Sequence, residues 1–250
     1  MTADAASLHP HEVLIEVVRC LIDGARHVAV GANSPIPAAA AFLAQRLSPH
    51  APNVSLQQSP DHNLWTDGGR ELFDSAGQGR IDVFFFSGAQ IDGSGSINLN
   101  VIGDYAHPKA RFPGAYGSAY LYFMVPRIIL FRLEHSRRTL VKKVDFVSAP
   151  GTSPPNVFRR GGPIALVTPL CHFTFDKTRA RFCLESVHPG HTVEEVLDNT
   201  GFDFDRPERV PVTTPPSPEV LTLLRRTVAP ELATLYPKFA ETVFGIPLPA

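Results

Sequence analysis

"IDVFFFSG", residues 81–88, is an almost uninterrupted apolar run closed by a glycine. A strand with one wet face alternates apolar and polar residues, so this run reads as a strand covered on both faces, in a parallel or mixed sheet between layers of helix. Upstream, "HVAVG" (27–31) reads as a second buried strand entering a Gly-Ala-Asn turn, and "IPAAAAFLAQRL" (36–47) as a helix with Ser34 and Pro35 near its start. This is a β-turn-α unit. A further strand is expected over Val54–Gln57, and the spacing of Val13, Leu14, Val17, Val18 and Leu21 predicts a helix from Glu12 to Ile22, ended by Gly24. Downstream, "VPRIILFRLE" (125–134) and "KVDFVS" (143–148) repeat the buried-strand pattern on either side of the basic connection "HSRRTLVKK". "CHFTF" (171–175) and "ARFCLESV" (180–187) flank the polar turn "DKTR" and predict a β-hairpin. Thr192 and Glu195 suit a capping box before "VEEVLDNT", with Gly201 as terminator. A proline-rich connection near 206–218 leads to a last helix, starting at Ser217-Pro218 and running through Leu221, Leu224 and Arg225. The expected fold class is α/β: an open, mostly parallel sheet flanked by helices, in a single domain over 1–250 without internal repeats.

Bulk composition narrows the partners. With 23 basic against 24 acidic residues the net charge is -1, so no global field draws the chain to nucleic acid or anionic membranes. Asp4, His9, His11, Glu12 and Glu16 interrupt any secretory leader in the first 20 residues, and no 18-residue apolar run follows. Cys20, Cys171 and Cys183 show no CxxC spacing and read as buried free thiols, which suits a soluble protein of the reducing cytoplasm.

The stretch from Ser87 to Gly117 differs from the rest, with six glycines in 31 residues and interspersed Asn and Asp. Glycine just after a buried strand lets backbone N–H groups approach a ligand and form an anion or oxyanion pocket; tight turns between short strands account for it equally well. "GSGS" does not complete a dinucleotide fingerprint. Histidines 107, 135, 172, 188 and 191 form no compact metal-ligand set, so no metal is expected, and no GxSxG elbow or evident triad is present. Residue chemistry alone stops at an α/β protein with a glycine-rich ligand loop.

This central stretch resembles the β subunits of family I coenzyme A transferases, most closely the glutaconate type. The likeness is carried by Gly88-Ala89-Gln90-Ile91-Asp92, Gly95, Asn98, Ile102-Gly103-Asp104-Tyr105, His107-Pro108-Lys109, Arg111-Phe112, Gly114 and Gly117, and further on by "KVDFVSAPG" and "EEVLDNTGFDFD". It runs in one register from about Val30 to Asp205. The resemblance implies a CoA-transferase α subunit as partner, in a heterodimer or heterotetramer whose active site lies at the subunit interface. It implies an acyl-CoA thioester as substrate and no bound cofactor. In that chemistry a β-subunit glutamate attacks the thioester, giving an anhydride and then a glutamyl-CoA that passes CoA to a second carboxylate. Gly88, Ala89, Gly114 and Gly117 are the implied oxyanion or CoA contacts, with Gln90 and Asn98 orienting them. Lys109 and Arg111, with His107, are candidates for CoA phosphates or for the subunit interface. Asp104 and Tyr105 are candidates for buried hydrogen bonds that tie the loop. Phe84–Phe86, Phe112, Tyr116, Tyr120, Tyr122 and Phe123 can line an acyl pocket or fill core, and strand alternation favours core for at least half.

The resemblance sets Gln58-Ser59 on the family's Glu-Ser pair, and a neutral amide cannot form the anhydride. Asp61 is the nearest carboxylate, displaced by three residues. Some members of the superfamily lack the β-subunit glutamate and act as hydrolases that open a ring of a steroid-derived CoA thioester, using a glutamate of the α subunit. The present chain is similar to those too. Three readings stand side by side: a transferase-family β subunit with Gln58 at the former nucleophile position, a CoA-thioester-dependent hydrolase, and a non-catalytic structural subunit.

Overall fold

The structure, a computed structural model, describes residues 8–57 and 59–248. Helix α1 (Pro10–Leu21) starts two residues before the predicted helix because its N-terminus is well capped. His9 Nδ1 accepts from the His11 N–H at 3.1 Å, and the Glu12 carboxylate accepts from the His9 N–H at 2.9 Å. The chain continues through β1 (His27–Val30), α2 (Pro35–Leu47), β2 (Asn53–Leu56), α3 (Gly68–Gly77) and β3 (Val83–Phe86). The glycine-rich stretch forms only short pieces, β4 (Gln90–Asp92), β5 (Ile97–Asn98), β6 (Val101–Gly103) and β7 (Pro108–Arg111). After α4 (Ser118–Met124) come β8 (Arg127–Phe131), β9 (Leu140–Val141), β10 (Pro163–Val167), the hairpin β11 (Cys171–Asp176) and β12 (Arg181–Val187), and α5 (Val193–Asn199). The C-terminal helices are α6 (Pro218–Leu223), a π-helical turn over Leu224–Val228, α7 (Ala229–Leu235) and α8 (Pro237–Phe244).

The main sheet has seven strands in the order β12-β11-β10-β8-β3-β1-β2. From β10 to β2 every pairing is parallel, and the hairpin adds two antiparallel strands at one edge. The fold is therefore the expected open, mostly parallel α/β sheet. Its strands are apolar throughout because successive side chains feed different cores: Val83 and Phe85 join the cluster under α1, α2 and the C-terminal helices, while Phe84 joins that under α4 and the hairpin. Full burial of each such side chain contributes roughly 1.5–3 kcal/mol.

Four local expectations are corrected. Residues 143–148 form no strand; only Val144 of that stretch is buried. The Asp145 carboxylate instead accepts from Gln90 Nε2 (3.1 Å) and the Gly103 N–H (2.8 Å), so the segment is a brace between loops. The strand next to β8 is β10, whose apolar run is obscured by Gly161, Gly162 and Pro163. At α5, Thr192 Oγ1 accepts from the Glu195 N–H at 3.1 Å, but the Glu195 carboxylate pairs with His191 at 2.9 Å, so the capping box is half made. Cys20 is exposed and Cys183 half-buried, leaving Cys171 as the buried thiol. Among the described residues, no helix is long and apolar enough to cross a membrane.

Candidate active site

Strand β1 pairs with β2 on one side and β3 on the other. The chain thus leaves β1 toward one edge of the sheet and returns past it toward the other edge. At such a switch point the loops leaving the two strands diverge and open a crevice beyond their carboxyl ends, where ligands bind in α/β sheets. A cleft of about 1210 Å³ lies here. Its floor is the Gly31–Ser34 turn after β1, Gln57 after β2, and Phe84 to Gly88 of β3 and its exit. Gly114, Ala115 and Tyr116 form one rim, and Arg132, Arg137 and Arg138, from the connection after β8, form the opposite wall. Pockets for ordinary small ligands occupy roughly 300–1,000 Å³, so this volume suits a long ligand or a site completed by another surface.

The predicted residues divide into those at the cleft and those behind it. Gly88 lines it, and among the described residues its N–H has no hydrogen-bond partner. A Cβ at this position would stand 2.8 Å from the Gln90 carbonyl oxygen, so the close approach of backbone to backbone itself requires glycine. Ala89 also lines the cleft, but its N–H is committed to the Asn98 carbonyl at 2.8 Å and is not available as an oxyanion donor. Gln90 lines the cleft with its amide fully engaged: Oε1 accepts from Asn98 Nδ2 (2.8 Å) and the Asp145 N–H (2.9 Å), and Nε2 donates to Asp145. Asn98 is 0% exposed and donates to the Val101 carbonyl as well, which corrects its assignment as a CoA contact. It holds the loop that carries Gly88. Gly114 lines the rim, whereas Gly117 stands outside the lining.

Lys109 and Arg111 are exposed on β7, outside the cleft lining; Arg111 donates to the Tyr105 carbonyl at 2.8 Å and lies over the Tyr105 ring. Asp104 and Tyr105 do brace this loop, but at the surface: Asp104 accepts from the Ala106 and His107 N–H groups, and Tyr105 stacks on Phe146. Of the aromatic set, Phe84, Phe85 and Tyr122 are buried, while Phe112, Tyr116 and Tyr120 are exposed near the mouth. Gln58 lies outside the described residues. Its neighbour Gln57 is in the cleft, and Asp61 is exposed and outside it. Ser59 is buried and caps its own turn, with Oγ 3.0 Å from His62 Nδ1 and accepting from the His62 N–H.

None of the described residues lining the cleft carries a carboxylate. The wall opposite the rim is cationic. Arg132 and Arg138 both reach Glu134, whose carboxyl is held below its ordinary range chiefly by the Arg138 and Ser136 hydrogen bonds. Arg137 donates to the Leu197 and Asp198 carbonyls at the end of α5. These arginines escape the sequence reading because "HSRRTLVKK" passes for a solvated connection. The available signal is its position, directly after a buried parallel strand, where the carboxyl ends of the sheet open. Among the described residues, no group of three or more His, Cys, Asp or Glu side chains is placed to hold a metal ion.

Comparison with known proteins bears on this arrangement. The coenzyme A transferase family profile matches residues 51–199. One of the two kinds of subunit of 3-oxoadipate CoA-transferase from Pseudomonas knackmussii is 37% identical over 153 residues, which are 59% of this chain and 58% of that protein. The cholesterol ring-cleaving hydrolase IpdB subunit from Rhodococcus jostii is 30% identical over 165 residues, 64% of each. The matches therefore span less than two-thirds of either relative's own length. The crystal structure of glutaconate CoA-transferase from Acidaminococcus fermentans superposes with a TM-score of 0.78 at 24% identity, covering 98% of this chain and 100% of that one, a likeness of fold.

Proposed function

Because the chain belongs to the coenzyme A transferase family, we propose that it is the β subunit of a heteromer acting on an acyl-CoA thioester, with the thioester as substrate and no resident cofactor. The observation that carries this reading is the cleft at the β1/β3 switch point, with the unpaired Gly88 amide at its floor and an apolar lining from Phe84 to Phe86. An amide aimed at a thioester oxygen stabilises the negative charge that develops there, an effect commonly worth about 3 to 4 kcal/mol per donor. The cleft would accept the acyl end, and an α subunit would close its mouth.

The reacting carboxylate is then the partner's. In the transferase pattern a β-subunit glutamate attacks the thioester carbon, but the corresponding position holds Gln58, Gln57 beside it is also an amide, and the described lining has no acid. This absence favours a second reading within the same family, hydrolysis: a partner glutamate activates water, and this chain supplies walls and the oxyanion donor. The likeness to a ring-cleaving hydrolase subunit supports it, as that to a CoA-transferase subunit supports transfer.

The test is mass spectrometry of the chain co-purified with its partner, incubated with a panel of acyl-CoAs with and without acetate. A new acyl-CoA that forms only with acetate establishes transfer and places the nucleophile on the partner. A product that gains water regardless of acetate establishes hydrolysis, and Gln58→Glu then fails to improve the native reaction. Turnover of no acyl-CoA under either condition, by an assembled complex, refutes both.

A further inference from the structure

We propose that Arg132, supported by Arg138 and Arg137, receives a carboxylate at the far end of the acyl group, so that the substrate is the monothioester of a dicarboxylic acid. The inference rests on the proposed function and adds the substrate class. Arg132 is the first residue after β8 and lines the cleft. Its side chain is 28% exposed, and one of its terminal nitrogens lies 3.3 Å from the Glu134 carboxylate. Its Nε is buried and has no hydrogen-bond partner. A buried donor left unpaired on a charged group is costly, and guanidinium recognises carboxylates through two parallel N–H groups. Arg132 therefore has an open donor where a ligand can reach it.

The surroundings favour an anion. Three guanidinium groups share this wall, and the ion pairs of Arg132 and Arg138 converge on one carboxylate, Glu134. Arg137 is turned to backbone carbonyls, which leaves its charge uncancelled by any acid in those contacts. Between the arginines and the Gly88 amide the lining is apolar, with Phe86, Leu99, Ile102 and Val141, which suits a hydrocarbon chain.

Position separates an acyl carboxylate from the phosphates of CoA. Phe86 pairs in parallel with Leu130, and Gly88 and Arg132 each lie two residues beyond that pair on neighbouring strands. Adjacent strands are about 4.8 Å apart. Arg132 is thus rooted beside the amide assigned to the thioester oxygen, whereas the pantetheine arm holds the phosphates of CoA well away from the thioester. An acyl chain folded along the apolar floor brings its distal carboxylate to the guanidinium.

The experiment is calorimetric binding of glutaryl-CoA, butyryl-CoA and CoA to the complex of this chain and its partner, for the wild type, Arg132→Gln and Arg132→Lys. The wild type is expected to bind glutaryl-CoA roughly ten- to a hundredfold more tightly than butyryl-CoA, the range for a hydrogen bond to a charged group. Arg132→Gln should erase that preference while leaving butyryl-CoA and CoA within about twofold, and Arg132→Lys should keep part of it, because a point charge lacks the paired donors. Equal affinity of the wild type for the two thioesters overturns the inference and leaves the proposed function standing, whatever the variants do. An equal loss for all three ligands in Arg132→Gln also overturns it, since the guanidinium would then read a phosphate of CoA. If the wild type binds none of the three, the proposed function falls and the inference with it.

Discussion

At the scale of single residues, glycine is the least specific signal this sequence carries. Gly88 and Gly117 stand in one glycine-rich stretch, yet only Gly88 lines the cleft. Gly117 caps α4 with φ 65° and ψ 12°, and a Cβ there would lie 2.3 Å from Cζ of Phe73. Its requirement is packing and handedness. The left-handed conformation costs a non-glycine residue about 1–2 kcal/mol, and crowding a packed ring adds about 1–3 kcal/mol. We expect Gly117→Ala to destabilise the chain by about 2–4 kcal/mol in urea unfolding, without a change in the ligands the cleft selects. The steric part should disappear when Phe73 is truncated, so Gly117→Ala with Phe73→Ala should cost less than the two single changes added together. Strict additivity would refute the clash. Gln90 and Asn98 show the same limit of sequence reading: polar side chains beside a ligand loop look like ligand contacts, and only their hydrogen bonds reveal a brace.

Among the elements, the hairpin was the most legible in the sequence, because both strands alternate cleanly around a polar turn, and the pairing runs from Cys171 opposite Val187 to Asp176 opposite Arg181. Strand β10 was not legible, since glycines and a proline open it, and helices α3 and α4 are too short and irregular for periodicity to show. Three histidines at the hairpin edge give it an acid limit. His172 on β11, His188 just after β12 and His135 after β8 all have pKa values pushed down to about 4, in each case chiefly by burial. His188 Nε2 lies 3.0 Å from the Thr168 carbonyl, which can only accept, so the neutral ring carries its proton there and Nδ1 accepts from Thr213. In the unfolded chain these rings titrate near 6.5, above their folded values, so the unfolded state takes up protons first as pH falls. Their contribution to stability is complete above pH 6.5 and is progressively lost down to about pH 4, at a little over 1 kcal/mol per pKa unit for each ring. Hydrogen exchange corrected for intrinsic rates should therefore show residues 171–188 losing protection between pH 7 and pH 5 ahead of β1 and β3. A uniform loss across the sheet would sink this account.

At the scale of the whole molecule, the parallel sheet was readable because burial on both faces leaves unbroken apolar runs, and the switch point followed once strand order was known. The surface that completes the cleft was not readable, because nothing in a sequence separates an aromatic that fills a core from one that waits for a partner. The structure separates them. Tyr105, Phe112, Tyr116 and Tyr120 are 57%, 37%, 66% and 43% exposed, and all lie within the stretch that forms β7 and the cleft rim. Single exposed apolar residues are ordinary, but four aromatics on one short stretch beside a ligand cleft make a patch of the kind that marks an interaction site. Aromatic residues are also enriched in protein interfaces. If the proposed α subunit closes the cleft, this rim is where it sits, and burying Phe112 there would contribute on the order of 1.5–3 kcal/mol to assembly. Phe112→Glu tests it: the isolated chain should unfold within about 0.5 kcal/mol of the wild type, as surface substitutions do, yet fail to co-purify with the co-expressed partner. In the wild-type complex, residues 104–120 should gain protection from hydrogen exchange relative to the chain alone. A Phe112→Glu complex that assembles normally, together with unchanged exchange over 104–120, would move the partner to another face and leave the cleft open to solvent.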